Sequence, residues 1–93
     1  MRLIKIPSFS LPSLTVGVPV STNVSTVPNA AVSWVAVFRD ENDAIVGTLA
    51  SSGSADSSGN YTMEITALAG STIAYVRVTS CSITIGDTAT VET

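Results

Sequence analysis

Residues 31–40, AVSWVAVFRD, are apolar at both parities. In an extended chain Val32, Trp34, Ala36 and Phe38 fall on one face, and Val35 and Val37 join Ser33 on the other. Side chains alternate along a strand, so a run of this kind belongs where neighbouring strands flank it or where its second face is covered. The rest of the chain must be arranged around it, and no segment offers the apolar spacing of a helix.

The other segments alternate as half-buried strands do. Leu14, Val16, Val18 and Val20 alternate over residues 13–22, and Pro19 argues for an edge position or a strand end. Ile45 and Leu49 are in phase over 44–50, with Gly47 as a candidate bulge. Tyr61, Met63 and Ile65 oppose Thr62, Glu64 and Thr66, the pattern of an antiparallel sheet with one face in water. Ile73 and Tyr75 alternate against Ala74, Val76 and Val78. Cys81, Ile83 and Ile85 follow in phase, and Gly86-Asp87 reads as a turn or bulge before a last strand through Ala89 and Val91. The stretches 40–43 (DEND) and 51–60 (SSGSADSSGN) read as turns. About seven short strands with turns every 8–12 residues predict an all-β fold, an antiparallel β-sandwich over residues 13–93. Residues 1–12 carry Pro7 and Pro12 and alternate from Leu3 to Ile6. They read as an extended N-terminal arm or an edge strand.

The balance of residue types narrows the surroundings. Ser and Thr exceed a quarter of the chain, whereas charged residues are 12% and the net charge is −3. Disorder needs low hydrophobicity and high net charge, and 45% apolar residues argue against it. A surface this poor in charge suits a hydroxyl-covered extracellular or virion protein, or one largely covered by partners. Arg2, Lys5, Arg39 and Arg77 are scattered over an acidic chain, which disfavours nucleic acid. Cys81 is alone, so no intrachain disulfide is available, and its place in an alternating run predicts a small core residue. Prolines at 7, 12 and 19 interrupt any apolar leader, and no run approaches the ~20 apolar residues of a membrane span. The expectation is a small gene product made in the host cytoplasm without an export signal.

Chemistry is sparse. Without His there is no Ser-His-Asp or Cys-His arrangement and no imidazole for zinc. The carboxylates Asp40, Glu41, Asp43, Asp56, Glu64, Asp87 and Glu92 lie mostly in expected turns open to water, so no enzyme is expected. No Gly-rich phosphate loop is present, and no cofactor is expected. DEND offers hard oxygen donors but lacks the spacing and distal Glu of a calcium loop. DSSGN is accounted for as a turn, with Asp56 accepting from following amides and Gly59 taking positive φ. Asn23-Val24-Ser25 and Asn60-Tyr61-Thr62 fit the glycosylation pattern, which has no meaning without secretion.

From Trp34 onward the strings VSWVAVFRDENDAIVG, ADSSGNYTMEI, AYVRVTS and GDTATVET resemble the immunoglobulin-like sandwich superfamily in its cysteine-free fibronectin-type and bacterial or phage forms. The resemblance covers residues 31–93. It implies a central strand with a Trp, a polar turn, a D-x-x-G-x-Y turn into a strand, and a Y-x-V-x-V strand that ends in a hairpin. In style the chain also resembles the small decoration or cement proteins of phage capsids. What this implies is a structural virion protein that stabilises a shell by non-covalent contacts. It would be a homo-oligomer or lattice-bound, docked through Leu3, Ile4, Ile6, Phe9 and Leu11, with neither nucleic acid nor membrane as partner. The alternative is an immunoglobulin-like binding module whose 40–43 and 51–60 loops hold a carbohydrate or host receptor.

Overall fold

The computed structural model of the chain describes residues 6–93. Seven strands follow one another: β1 (Leu14–Thr15), β2 (Pro19–Ser25), β3 (Ala31–Arg39), β4 (Ile45–Ser54), β5 (Asn60–Thr66), β6 (Ile73–Ser80) and β7 (Ile83–Glu92). No helix forms among the described residues. One sheet has five strands in the order β1-β7-β6-β3-β4, and a second pairs β2 with β5. The pairings are antiparallel except β1 with β7, where Leu14 opposite Val91 and Thr15 opposite Glu92 run parallel. The larger sheet is therefore mixed, where wholly antiparallel strands were expected.

The strand that is apolar on both faces lies at the centre, between β4 and β6. Its even residues Val32, Trp34, Ala36 and Phe38 are buried. Opposite them on β6, Phe38 meets Ala74, Ala36 meets Val76 and Trp34 meets Val78, all buried as well. Leu14, Ala89 and Val91 extend this layer. Val24, Met63 and Ile65 of the smaller sheet join the same cluster, so one core lies between the two sheets. Each fully buried aliphatic or aromatic side chain contributes about 1.5–3 kcal/mol. Trp34 is 6% exposed, as its place on the strand requires.

Glycines admit bulky side chains where the sheets meet. A Cβ at Gly47 would lie 2.7 Å from Leu68 Cδ1, and one at Gly53 would lie 2.7 Å from Tyr61 Cε1. On β7 the ring and hydroxyl of Tyr75 occupy the space a Cβ at Gly86 would need. Gly86 is thus a seat for an aromatic ring within an unbroken strand, and no turn falls at Gly86-Asp87.

Three further expectations change. Residues 13–22 divide, because Gly17 (φ 77°) redirects the chain from pairing with β7 to pairing with β5. The serine-rich stretch from 51 continues β4 to Ser54, each residue paired to β3. Cys81 is exposed, not buried. With Ser82 it forms the two-residue tip of the β6–β7 hairpin at φ 53° and 63°, a type I′ pattern.

Candidate functional site

The two acidic loops are built alike. The Asp40 carboxylate accepts from the amides of Asn42 (2.9 Å) and Ala44 (3.0 Å), and that of Asp56 from Ser58 (2.8 Å) and Asn60 (3.0 Å). In both, the fourth residue, Asp43 or Gly59, takes positive φ and donates its amide to the first residue's carbonyl at 3.0 Å. Both are turns with a left-handed closing residue; the first joins the paired strands β3 and β4, and the second carries the chain from β4 in one sheet to β5 in the other. The amides of Asn60 and Ser58 hold the Asp56 carboxyl below its ordinary pKa. Among the described residues no three carboxylate or thiol side chains converge in a way that would hold a metal ion.

The N-terminal segment separates into parts. Leu3 and Ile4 lie outside the described residues. Ile6 is 66% exposed. Pro7 is fully buried, and Ser8 exchanges two backbone hydrogen bonds of 2.9 Å with Ser25, which pins the segment to the rim of β2. Phe9 and Leu11 are half-buried and rest on the chain's own core. The Leu11 amide donates to Asp87 Oδ2 at 2.9 Å, while Asp87 Oδ1 takes the Thr88 amide. Among the described residues, docking against the domain runs from Pro7 to Leu11, and Asp87 is one of its holders. Sequence reasoning placed Asp87 in a turn and missed this; its inward parity beside Ile85 and Ala89 was the available signal.

A second surface emerges from the parity of the large sheet. Val35 and Val37 of β3, Ile73 and Tyr75 of β6, and Ile45 of β4 face away from the core, half-buried or exposed. The register sets Ile45, Arg39 and Ile73 in one row, then Thr48, Val37, Tyr75 and Thr88, then Ala50, Val35, Arg77 and Gly86. Arg39 and Arg77, the two cations of the described residues, both stand on this face. Arg39 donates to the Asp43 carbonyl at 3.0 Å, with the Asp43 carboxylate 3.9 Å away. Apolar residues at the second parity of β3 were legible in the sequence. That β6 turns its small residues inward and Ile73 and Tyr75 outward was not, because in its first half both parities are apolar.

At one end of the sheet a shallow hollow of about 440 Å³ is lined by Ala31, Ser33, Ser52, Gly53, Thr79 and Cys81, among others. It holds no charged group. No family model, curated protein or solved structure matches the chain.

Proposed function

We propose that the chain is a structural virion protein, a phage capsid decoration or cement protein that reinforces a shell by non-covalent contacts, and that its domain is an immunoglobulin-like sandwich. The strand order supports the fold reading. Strands β2 and β5 stand where the B and E strands of such modules stand, β3, β6 and β7 where C, F and G stand, and β4 where an added C′ strand stands. A buried Trp on the C-like strand fits the same plan.

The observation that carries the functional reading is Ile6. A large aliphatic residue is exposed immediately ahead of Pro7, the first of the described residues that is buried against the domain. The sequence on its N-terminal side adds Leu3 and Ile4. An apolar stretch entering a pinned segment gives the partner a handle of known origin and direction, and strand addition or apolar clamping is the chemistry available to it. Phe9 and Leu11 act from within the domain by fixing the segment's course. The charge-poor, hydroxyl-rich exterior agrees with a protein that works on a lattice.

The 40–43 and 51–60 loops support the receptor-binding alternative less well. Their Asp40 and Asp56 carboxylates are engaged by their own backbone, and Tyr61 lies over Gly53. Electron microscopy of virions carrying the protein tests the proposal. Copies at regular shell positions, reached by the N-terminal segment, are expected. A protein found only free in solution, with saturable binding to a glycan array, would replace it with the alternative.

A further inference from the structure

Strand β4 is an unprotected edge. It is ten residues long, terminates the five-stranded sheet, and among the described residues pairs with β3 alone. Natural edges are blunted by short length, charge, proline, bulges or cover. The other edges have such devices. β1 is two residues long, and β2 begins at Pro19 and is bridged near its end by Ser8. β5 carries Glu64. In β4 the irregularity opposite Phe38 and Arg39 is confined to the start, and Gly47–Ser54 pair with β3 without interruption. From Ala44 to Ala55 there is neither charge nor proline.

We propose that this edge receives a second copy of the same chain, antiparallel about a two-fold axis, which joins the two five-stranded sheets into one. The inference concerns a different surface from the N-terminal segment and does not rest on the virion reading. The identity of the occupant follows from self-complementarity. Two-fold antiparallel pairing sets each residue opposite its mirror position about the axis, so the two copies of any charge near the axis would be brought close together. This strand has none. With Ala50 on the axis, Thr48 faces Ser52, Leu49 faces Ser51, and Gly47 faces Gly53, all with side chains on matching faces. Because Leu68 covers Gly47 and Tyr61 covers Gly53, that register also brings the Leu68 of one copy beside the Tyr61 of the other. Edge hydrogen bonds gain an apolar contact on the core side.

Sedimentation equilibrium on the full chain, with hydrogen exchange read on β4, tests this. A reversible monomer–dimer equilibrium is expected, with β4 amides gaining protection as concentration rises. Ala50→Lys, on an exposed position that leaves the fold intact, should weaken association by about tenfold or more and recover partly in high salt, since the two lysines would face each other. Thr90→Lys on β7 should leave association unchanged. A strict monomer at millimolar concentration overturns the proposal. So does a dimer that ignores Ala50→Lys, or one that forms without protecting β4.

Discussion

Thr22 and Trp34 each carry a polar atom into the core without a partner among the described residues: Thr22 Oγ1 and Trp34 Nε1. The indole retains its place through the area of its ring, which outweighs one unpaired donor. Thr22 has no such offset, because a methyl in place of its hydroxyl would fill the same space. Thr22→Val should raise stability by about 1 kcal/mol, read as a higher urea midpoint with unchanged slope; a lower midpoint would mean that the hydroxyl has a partner. The paired loops offer a second contrast. Gly59 holds φ 84°, and a Cβ there would run into the Thr26 carbonyl, so Gly59→Ala should cost more than about 2 kcal/mol. Asp43→Gly removes a tolerated left-handed Asp and an exposed pairing with Arg39, and its stability in the same urea titration should stay within about 0.5 kcal/mol of wild type. Asp56 gives a pH dependence. Its carboxyl titrates lower folded than unfolded, so its contribution is present above the unfolded value and lost as pH falls through the folded one. The stability difference between wild type and Asp56→Asn should be constant near neutrality and shrink in acid; a difference independent of pH down to strong acid would refute the assignment.

Among the elements, the N-terminal segment makes its described contacts with the domain from Pro7 to Leu11, and deletions on either side of Pro7 should differ. Removal of residues 1–6 leaves the Ser8–Ser25 bonds, the Phe9 and Leu11 contacts and the Leu11–Asp87 bond in place. Removal of 1–12 takes all of them. The shorter deletion should melt with the full chain, and the longer one should lose several degrees, as expected when about 1–3 kcal/mol of contacts is removed from a domain of this size. Equal melting of both would show that the segment adds nothing to the domain. The elements also differ in how far the residues announce them. β3 was legible as a strand because apolar residues at both parities call for a central position or a covered second face, and it proves central. β5 was legible because Thr62, Glu64 and Thr66 mark its wet face. The second half of β4 was not, since Ser and Gly have low strand propensity and only pairing with β3 holds them extended. Gly86 misled for a related reason. A glycine that receives the Tyr75 ring is indistinguishable in sequence from one that permits a turn, and the difference lies on another strand. The outward placement of Ile73 and Tyr75, and with it the second apolar surface, depends on which of two apolar parities of β6 meets the core, a choice made by packing.

On the scale of the whole molecule, a small core is enclosed by a surface of hydroxyls with few charges, and three features depart from that uniformity. One is the apolar outer face with both described arginines, one is the bare edge of β4, and one is the apolar stretch that ends at Pro7. Only the last lies ahead of the described contacts from Pro7 to Leu11, and its removal leaves all of those contacts in place. The proposed role of this stretch in shell binding can therefore be tested with a deletion that spares those contacts. The most direct measurement is co-sedimentation of the purified protein with virions stripped of it, comparing the full chain with the chain lacking residues 1–6. The full chain should bind to saturation at a fixed copy number, and the truncated chain, with unchanged melting, should remain in the supernatant. Equal saturation by both, or no binding by either, would contradict a decoration protein docked through its N-terminal segment.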